Sequence, residues 1–343
     1  MSAENLIEVT IYAVILNGRF LRYRDEFEDA LIQLSVARGL LDDLVNSAST
    51  SRDQALAILF SDEIGPEIRY CAHELGHAKS YDVNGIVSEL APKHRNQLIE
   101  NCDGLIAQLQ AEERVADSKI KLNERLWDGQ PVPVRYPELV DVFLKVEEAE
   151  IGLNTSQKDS RHPVGTPGKK SKLGITAYDA LLLALSDAEE VARKLEGAQQ
   201  VRLSVFLNIQ FSHQPCQLNG TGASSLSNGG RDIHFVHAYI LYQLLSRRIQ
   251  RDLLLKSTLF ASESGDKLKP QENKKRTVKQ EPVDYRLYPA VVKLLDTVLQ
   301  SLTQMRTLTI VDDHPDLASA VEARISFTNA QRWDKPILDV RPF

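Results

Sequence analysis

The chain has 343 residues, of which 43% are hydrophobic and 26% charged, an ordinary balance for a globular protein with a substantial core. Its formal net charge of −6 excludes a generally basic nucleic-acid wrapper and leaves only local patches for such contacts. Three scattered cysteines, Cys71, Cys102 and Cys216, form no C-x-x-C pair and suggest reduced thiols rather than a disulfide framework.

Helical periodicity runs through the chain, with segments expected at about 4–18, 24–46, 51–60, 66–80, 94–124, 136–150, 174–210, 231–260, 284–306 and 315–330. No basic region precedes an apolar core near Met1, so a secretory signal is not expected. No apolar run reaches the roughly 18 residues that cross a bilayer, so membrane insertion is not expected either. Strand alternation is nearly absent, and Pro131-Val132-Pro133-Val134 is the only extended-looking stretch.

In the first two segments, Gly18, Ala30 and Ala37 are small residues at points where two helices approach closely, with Leu31 and Leu34 filling the groove between them. This pair resembles a single degenerate tetratricopeptide unit, and an ordinary antiparallel helical hairpin explains it equally well. The expected fold class is all-α, with tetratricopeptide-like stacked helical hairpins and long polar loops. A helical region is expected at 1–151, a linker at 152–173, and a second helical region at 174–330 with loops at 212–230 and 261–282. An atypical tail follows at 331–343.

The stretch from Gly65 to His77 supports two incompatible readings. His73-Glu74-Leu75-Gly76-His77 fits H-E-x-x-H, which on a helix can hold zinc between the histidines and use Glu74 as a general base. Pro66 suits a first helical position, and Ile68, Cys71, Ala72, Leu75 and Ala78 then form one buried stripe. At about 100° per residue, both histidines fall on the opposite face, with Arg69 and Tyr70. Glu100 is the one candidate for a third ligand, and Ser80 and Val83 stand where an extended zinc motif needs Gly and His. A zinc peptidase through His73, His77 and Glu100 is therefore the rival reading. No P-loop or nucleophile motif is present: Gly220-Thr221-Gly222 is followed by no Lys-Ser/Thr.

Several landmarks, taken in order, resemble the 68-kDa subunit of the eukaryotic signal recognition particle. They are Leu16-Asn17-Gly18-Arg19-Phe20 with Phe27-Glu28-Asp29-Ala30-Leu31, then Pro66-Glu67-Ile68-Arg69-Tyr70-Cys71-Ala72, then Trp127-Asp128-Gly129-Gln130-Pro131. Further on come Phe235-Val236-His237-Ala238-Tyr239 and Tyr285-Arg286-Leu287-Tyr288. The similarity runs over roughly residues 10–330. It implies a non-catalytic, cofactor-free RNA-binding scaffold in cotranslational targeting to the endoplasmic reticulum. Implied partners are the particle's RNA and its 72-kDa subunit, with the receptor and ribosome engaged through the assembled particle. The implied location is cytoplasmic, nucleolar during assembly, and at the endoplasmic reticulum through the particle. The resemblance also implies an arginine-rich RNA-contacting helix upstream of Met1 and a 72-kDa-binding part beyond residue 330, so weaker binding is expected of this polypeptide.

Candidate RNA contacts are Arg19, Arg22 and Arg24 at the first hairpin turn, and Arg69 with Tyr70, a cation beside a stacking surface. Acidic residues outnumber basic ones through residue 46, so the turn grips at one point rather than attracting RNA broadly. The bland alternative is solvated arginines paired with Asp25 and Glu26. Arg247, Arg248 and Arg251 form a candidate phosphate rail, and Lys169, Lys170, Lys172 and Lys274-Lys275-Arg276 are loop cations. A helical-repeat interaction module with no RNA role is the remaining alternative.

Overall fold

The computed structural model describes residues 3–115, 121–161, 167–212, 221–265 and 287–337. The described residues are almost entirely helical, as the all-α reading expects: α1 Ala3–Tyr23, α2 Phe27–Ser47, α3 Ser51–Glu74, α4 Val83–Leu98, α5 Cys102–Val115 and α6 Pro137–Arg161 come first. They are followed by α7 Pro167–Ser212, α8 Thr221–Gly265, α9 Tyr288–Arg306, the short α10 Thr309–Asp312 and α11 Pro315–Ile337. A two-residue hairpin, β1 Leu126–Trp127 and β2 Gln130–Pro131, is the sheet among them. The chain divides into two compact units. One is Met1–Phe143 with Ala198–Asp232, the other Leu144–Gly197 with Ile233–Phe343.

In the first unit, α2 is the central helix, packed by α1, α3, α4 and α5. Its sequence explains this position, because Leu31, Leu34, Val36, Ala37, Leu40, Leu41 and Leu44 are buried nearly all round its circumference. Opposite them, α1 buries Ile7, Ile11, Ile15 and Gly18, spaced three and four apart. A Cβ added at Gly18 would meet Leu34 Cδ2 and Cγ at 2.9 Å, so glycine sets how closely α1 lies on α2. Ala30 and Ala37 are fully buried, as the small-residue pattern expects.

Several expected boundaries are wrong. Pro66 lies inside α3 rather than at the start of a helix, so the expected 51–60 and 66–80 segments are one element. Thr50 caps that element, its side chain accepting from Asp53 N at 3.1 Å, which places the start a full fifteen residues before the proline. Pro66 cannot donate to the ladder and its ring crowds the preceding turn. There the Arg38 guanidinium, anchored by Asp42 at 3.4 Å, donates through Nη1 to the Ser61 carbonyl. A side chain of α2 thus bonds to the backbone of the turn that precedes the proline, tying α3 to α2 there. The expected 94–124 segment, by contrast, is divided between α4 and α5, because Asn101 takes a left-handed backbone (φ 55°) that asparagine tolerates.

The hairpin turn is Asp128-Gly129, both at positive φ (49° and 77°), which gives the tight turn that an Asp-Gly pair favours. Val132 N donates to Arg125 O at 2.8 Å, extending the pairing beyond the strands.

In the second unit, α7 buries Tyr178, Leu181, Leu185, Ala188 and Ala192, and α8 buries Ile233, Val236, Ile240, Leu245 and Ile249. Asp252, 2% exposed, accepts from Arg251 Nη2 at 2.9 Å and from Thr297 Oγ1 at 3.0 Å, fastening α8 to α9. Helix also fills much of the expected 152–173 linker, the 212–230 loop from Thr221 onward and the start of the 261–282 loop. Near the end of α6, Thr155 and Ser156 turn their hydroxyls back onto the carbonyls of Ile151 and Gly152, so these polar residues stay within the helix.

Candidate nucleic-acid interface

The end of α1 and the C-terminal half of α3 lie together around the turn Tyr23-Arg24-Asp25-Glu26. Glu26 N and Arg24 N donate to Leu21 O at 3.1 and 3.0 Å, and Asp25 takes φ 61° to reverse the chain. Phe27, at the start of α2, meets the Tyr70 ring of α3 edge-on, with centroids 5.9 Å apart.

The five candidate contacts divide sharply. Arg19 is committed within the fold. Its guanidinium lies 2.8 Å from Glu67 and 3.5 Å from Glu63, and Nε donates to Glu67 at 2.9 Å. Burial alone would lower the Arg19 pKa, but the hydrogen bond and charge of Glu67, with Glu63, leave it raised, so the cation is firmly held. Arg22 Nε is 3.7 Å from Glu67, an ion-pair distance rather than a hydrogen bond, and its guanidinium lies 5.2 Å from the Tyr23 ring centre. Arg69 is half-buried in α3. Arg24 is the open one: its side chain is 58% exposed, pairs with Glu26 at 2.9 Å and sits 5.6 Å from the Phe20 ring centre.

The expectation that the turn arginines pair with Asp25 and Glu26 thus holds for Arg24 and not for Arg19. Glu63 and Glu67 are the partners sequence reasoning missed. They stand one turn apart on α3, opposite Arg19 and Arg22 on α1, but a helix start at Pro66 puts Glu63 outside the element and hides the pairing.

Sequence reasoning named Tyr70 but missed two further aromatics, Phe20 and Tyr23. Tyr23 is 80% exposed and Phe20 55%, and Tyr70 joins them partly open. Phe20, Arg22, Tyr23 and Arg24 alternate ring and cation within five residues, which was the available signal. Burial, reinforced by Glu74 and Asp25, pushes the Tyr70 hydroxyl up, so the ring is neutral and serves as an apolar face. The arrangement is a ledge of rings and guanidinium groups bordered by carboxylates. It suits unpaired bases, which stack, better than a duplex backbone, which needs many cations.

The H-E-x-x-H reading fails on backbone geometry. Helix α3 ends at Glu74. Gly76 takes φ 73°, its N–H bonds to His73 O at 2.9 Å, and His77 N–H bonds to Ala72 O at 3.0 Å. This is a Schellman termination, with glycine at the left-handed position. His77 therefore lies beyond a reversal and not one turn above His73. His73 is 77% exposed, 3.8 Å from Glu74, and Glu100 is exposed in the α4–α5 turn. No group of three or more metal-competent side chains occurs among the described residues. The same termination explains why Leu75 and Ala78, expected in the buried stripe, are exposed, whereas Ile68, Cys71 and Ala72 are fully buried.

Two of the three arginines of the candidate phosphate rail in the second unit, Arg247 and Arg251, are engaged as well. Arg247 lies 3.5 Å from Glu150, and Arg251 binds Asp252 and, at 3.2 Å, Asp179. The Lys274-Lys275-Arg276 run and Cys216 lie outside the described residues, as do the side chains of Lys169, Lys170 and Lys172. No helix among the described residues is long and apolar enough to cross a membrane.

A helical chain with exposed rings and an open guanidinium at a hairpin turn falls in the all-α class. The family model described as RNA-binding signal recognition particle 68 matches residues 1–334, nearly the whole chain. The chain belongs to that family. No solved structure matches it.

Proposed function

We propose that this protein is a non-catalytic scaffold subunit of the signal recognition particle, working in cotranslational targeting to the endoplasmic reticulum. It binds the particle's RNA, and its further partners are the 72-kDa subunit and, through the assembled particle, the receptor and ribosome. Its place is the cytoplasm, with assembly in the nucleolus and contact with the endoplasmic reticulum through the particle. The observation that carries this reading is the family match over residues 1–334.

Within that role, the ledge at the α1–α2 turn contributes stacking on unpaired bases through Phe20, Tyr23 and Tyr70, and Arg24 meets a neighbouring phosphate. Arg22 is shared between Tyr23 and Glu67. Arg19 acts indirectly, by holding α1 against α3 so that the ledge keeps its shape. Arg69 and Tyr70 retain the role of cation and stacking ring, with Tyr70 the better placed of the two. Replacing Phe20 and Tyr23 by Ala tests this directly. Each stacked base lost weakens RNA binding by about 1–3 kcal/mol. Filter binding that is unchanged in the double variant, with circular dichroism confirming the fold, rules the ledge out.

A further inference from the structure

At the end of α1 away from the turn, α1, α2 and α3 enclose an apolar groove of about 150 Å³. Its walls include Ile11, Ile15, Leu41 and Leu44, and Tyr12 and Leu56 stand exposed at its lip. A groove of this size holds about one aromatic ring or branched aliphatic side chain. The rim is uniformly acidic: Glu4, Glu8 and Asp53 line it, and the lining includes no Lys, Arg or His. We propose that this groove docks an amphipathic segment of a partner protein, taking one apolar side chain between its walls and an adjacent Lys or Arg onto the carboxylate rim.

Two features select that occupant. Burial, and then the charge of Asp53, raise the Glu8 carboxyl above its ordinary range, so the rim carries a like-charge repulsion that a cation relieves. The phosphates of RNA would meet three carboxylates here, which excludes the ligand of the α1–α2 turn from this end of the helix. Glu8 and Tyr23 are fifteen residues apart on one helix, roughly 22 Å at 1.5 Å per residue, so the two surfaces can be occupied independently. The groove does not depend on the RNA reading.

The test uses the full chain and two labelled, capped helical peptides with the same pair of leucines four positions apart, one flanked by arginines and one by glutamates. Fluorescence anisotropy should show the arginine peptide binding at least about tenfold more tightly. Glu4→Gln with Glu8→Gln should erase most of that preference, and Ala57→Leu, which fills the groove, should weaken the arginine peptide severalfold with the fold checked by circular dichroism. Equal binding of the two peptides overturns the proposal, as does arginine-peptide binding unaffected by both variants. A chain that self-associates in sedimentation and loses this on Ala57→Leu assigns the groove to a second copy and overturns it as well.

Discussion

Gly18 and Arg38 show how single side chains set the spacing of helices here. An alanine at 18 puts a methyl 2.9 Å from two atoms of Leu34, which is itself fully buried and cannot swing aside. Gly18→Ala should therefore cost about 1–3 kcal/mol in urea unfolding, the usual penalty of overpacking. Gly152→Ala in α6 is its control: no atom lies within 4 Å of the added methyl, and alanine favours the helix, so this variant should be neutral or more stable by about 0.4–1 kcal/mol. Arg38→Met, which keeps the aliphatic stem but removes the donor to Ser61 O, should destabilise by about 1–3 kcal/mol. The small-residue pattern of Gly18, Ala30 and Ala37 was legible in the sequence because spacing alone identifies a close helix crossing. The partners of Arg19 and Arg38 were not, because they belong to another helix and depend on its true start.

At the scale of elements, local rules succeeded where the relevant signal was local, and failed where a neighbouring helix overrode it. Asp128-Gly129 carries the signature of a tight hairpin, although only the extended Pro131–Val134 stretch was read from it. Pro66 reads as a helix start by propensity, yet it lies within a helix that begins at Ser51 and packs against α2. Gly76 is compatible in sequence with either a helix interior or a helix end, and the backbone shows that it is the end. Exposed histidines on opposite sides of a helix end have no shared ligand to lose. His73→Ala with His77→Ala should leave both the metal content and the melting temperature of the purified protein unchanged.

The α7–α8 pairing in the second unit carries its own pH test. His237 Nδ1 and His234 Nδ1 lie 2.6 and 2.8 Å from the two oxygens of Glu196, and His237 Nε2 lies 3.4 Å from Glu189. Burial alone would raise the Glu196 carboxyl, but the hydrogen bonds from His234 and His237 outweigh it and leave the group lowered. A carboxyl lowered on folding contributes stability that is complete above its unfolded value, about 4.3, and is lost as pH falls through the folded value. Glu196→Gln should therefore flatten the acid limb of the stability curve below about pH 5, measured by urea titration at a series of pH values.

At the scale of the whole molecule, the all-α class and the family were both legible, because they rest on periodicity and on ordered landmarks that survive errors in any one boundary. The proposed ledge was legible only in part: its rings and cations alternate in the sequence, but the Arg19–Glu67 pair that joins α1 to α3 is a contact between distant segments. The most direct measurement is the affinity of the full chain for signal recognition particle RNA against an unrelated RNA of equal length, across a salt series. With a single open arginine on the ledge, a preference for the particle RNA should persist as salt rises, with a shallow slope of about −0.7 for each phosphate neutralised on a single strand. Equal affinity for both RNAs at every salt concentration would contradict an RNA-binding role in the particle.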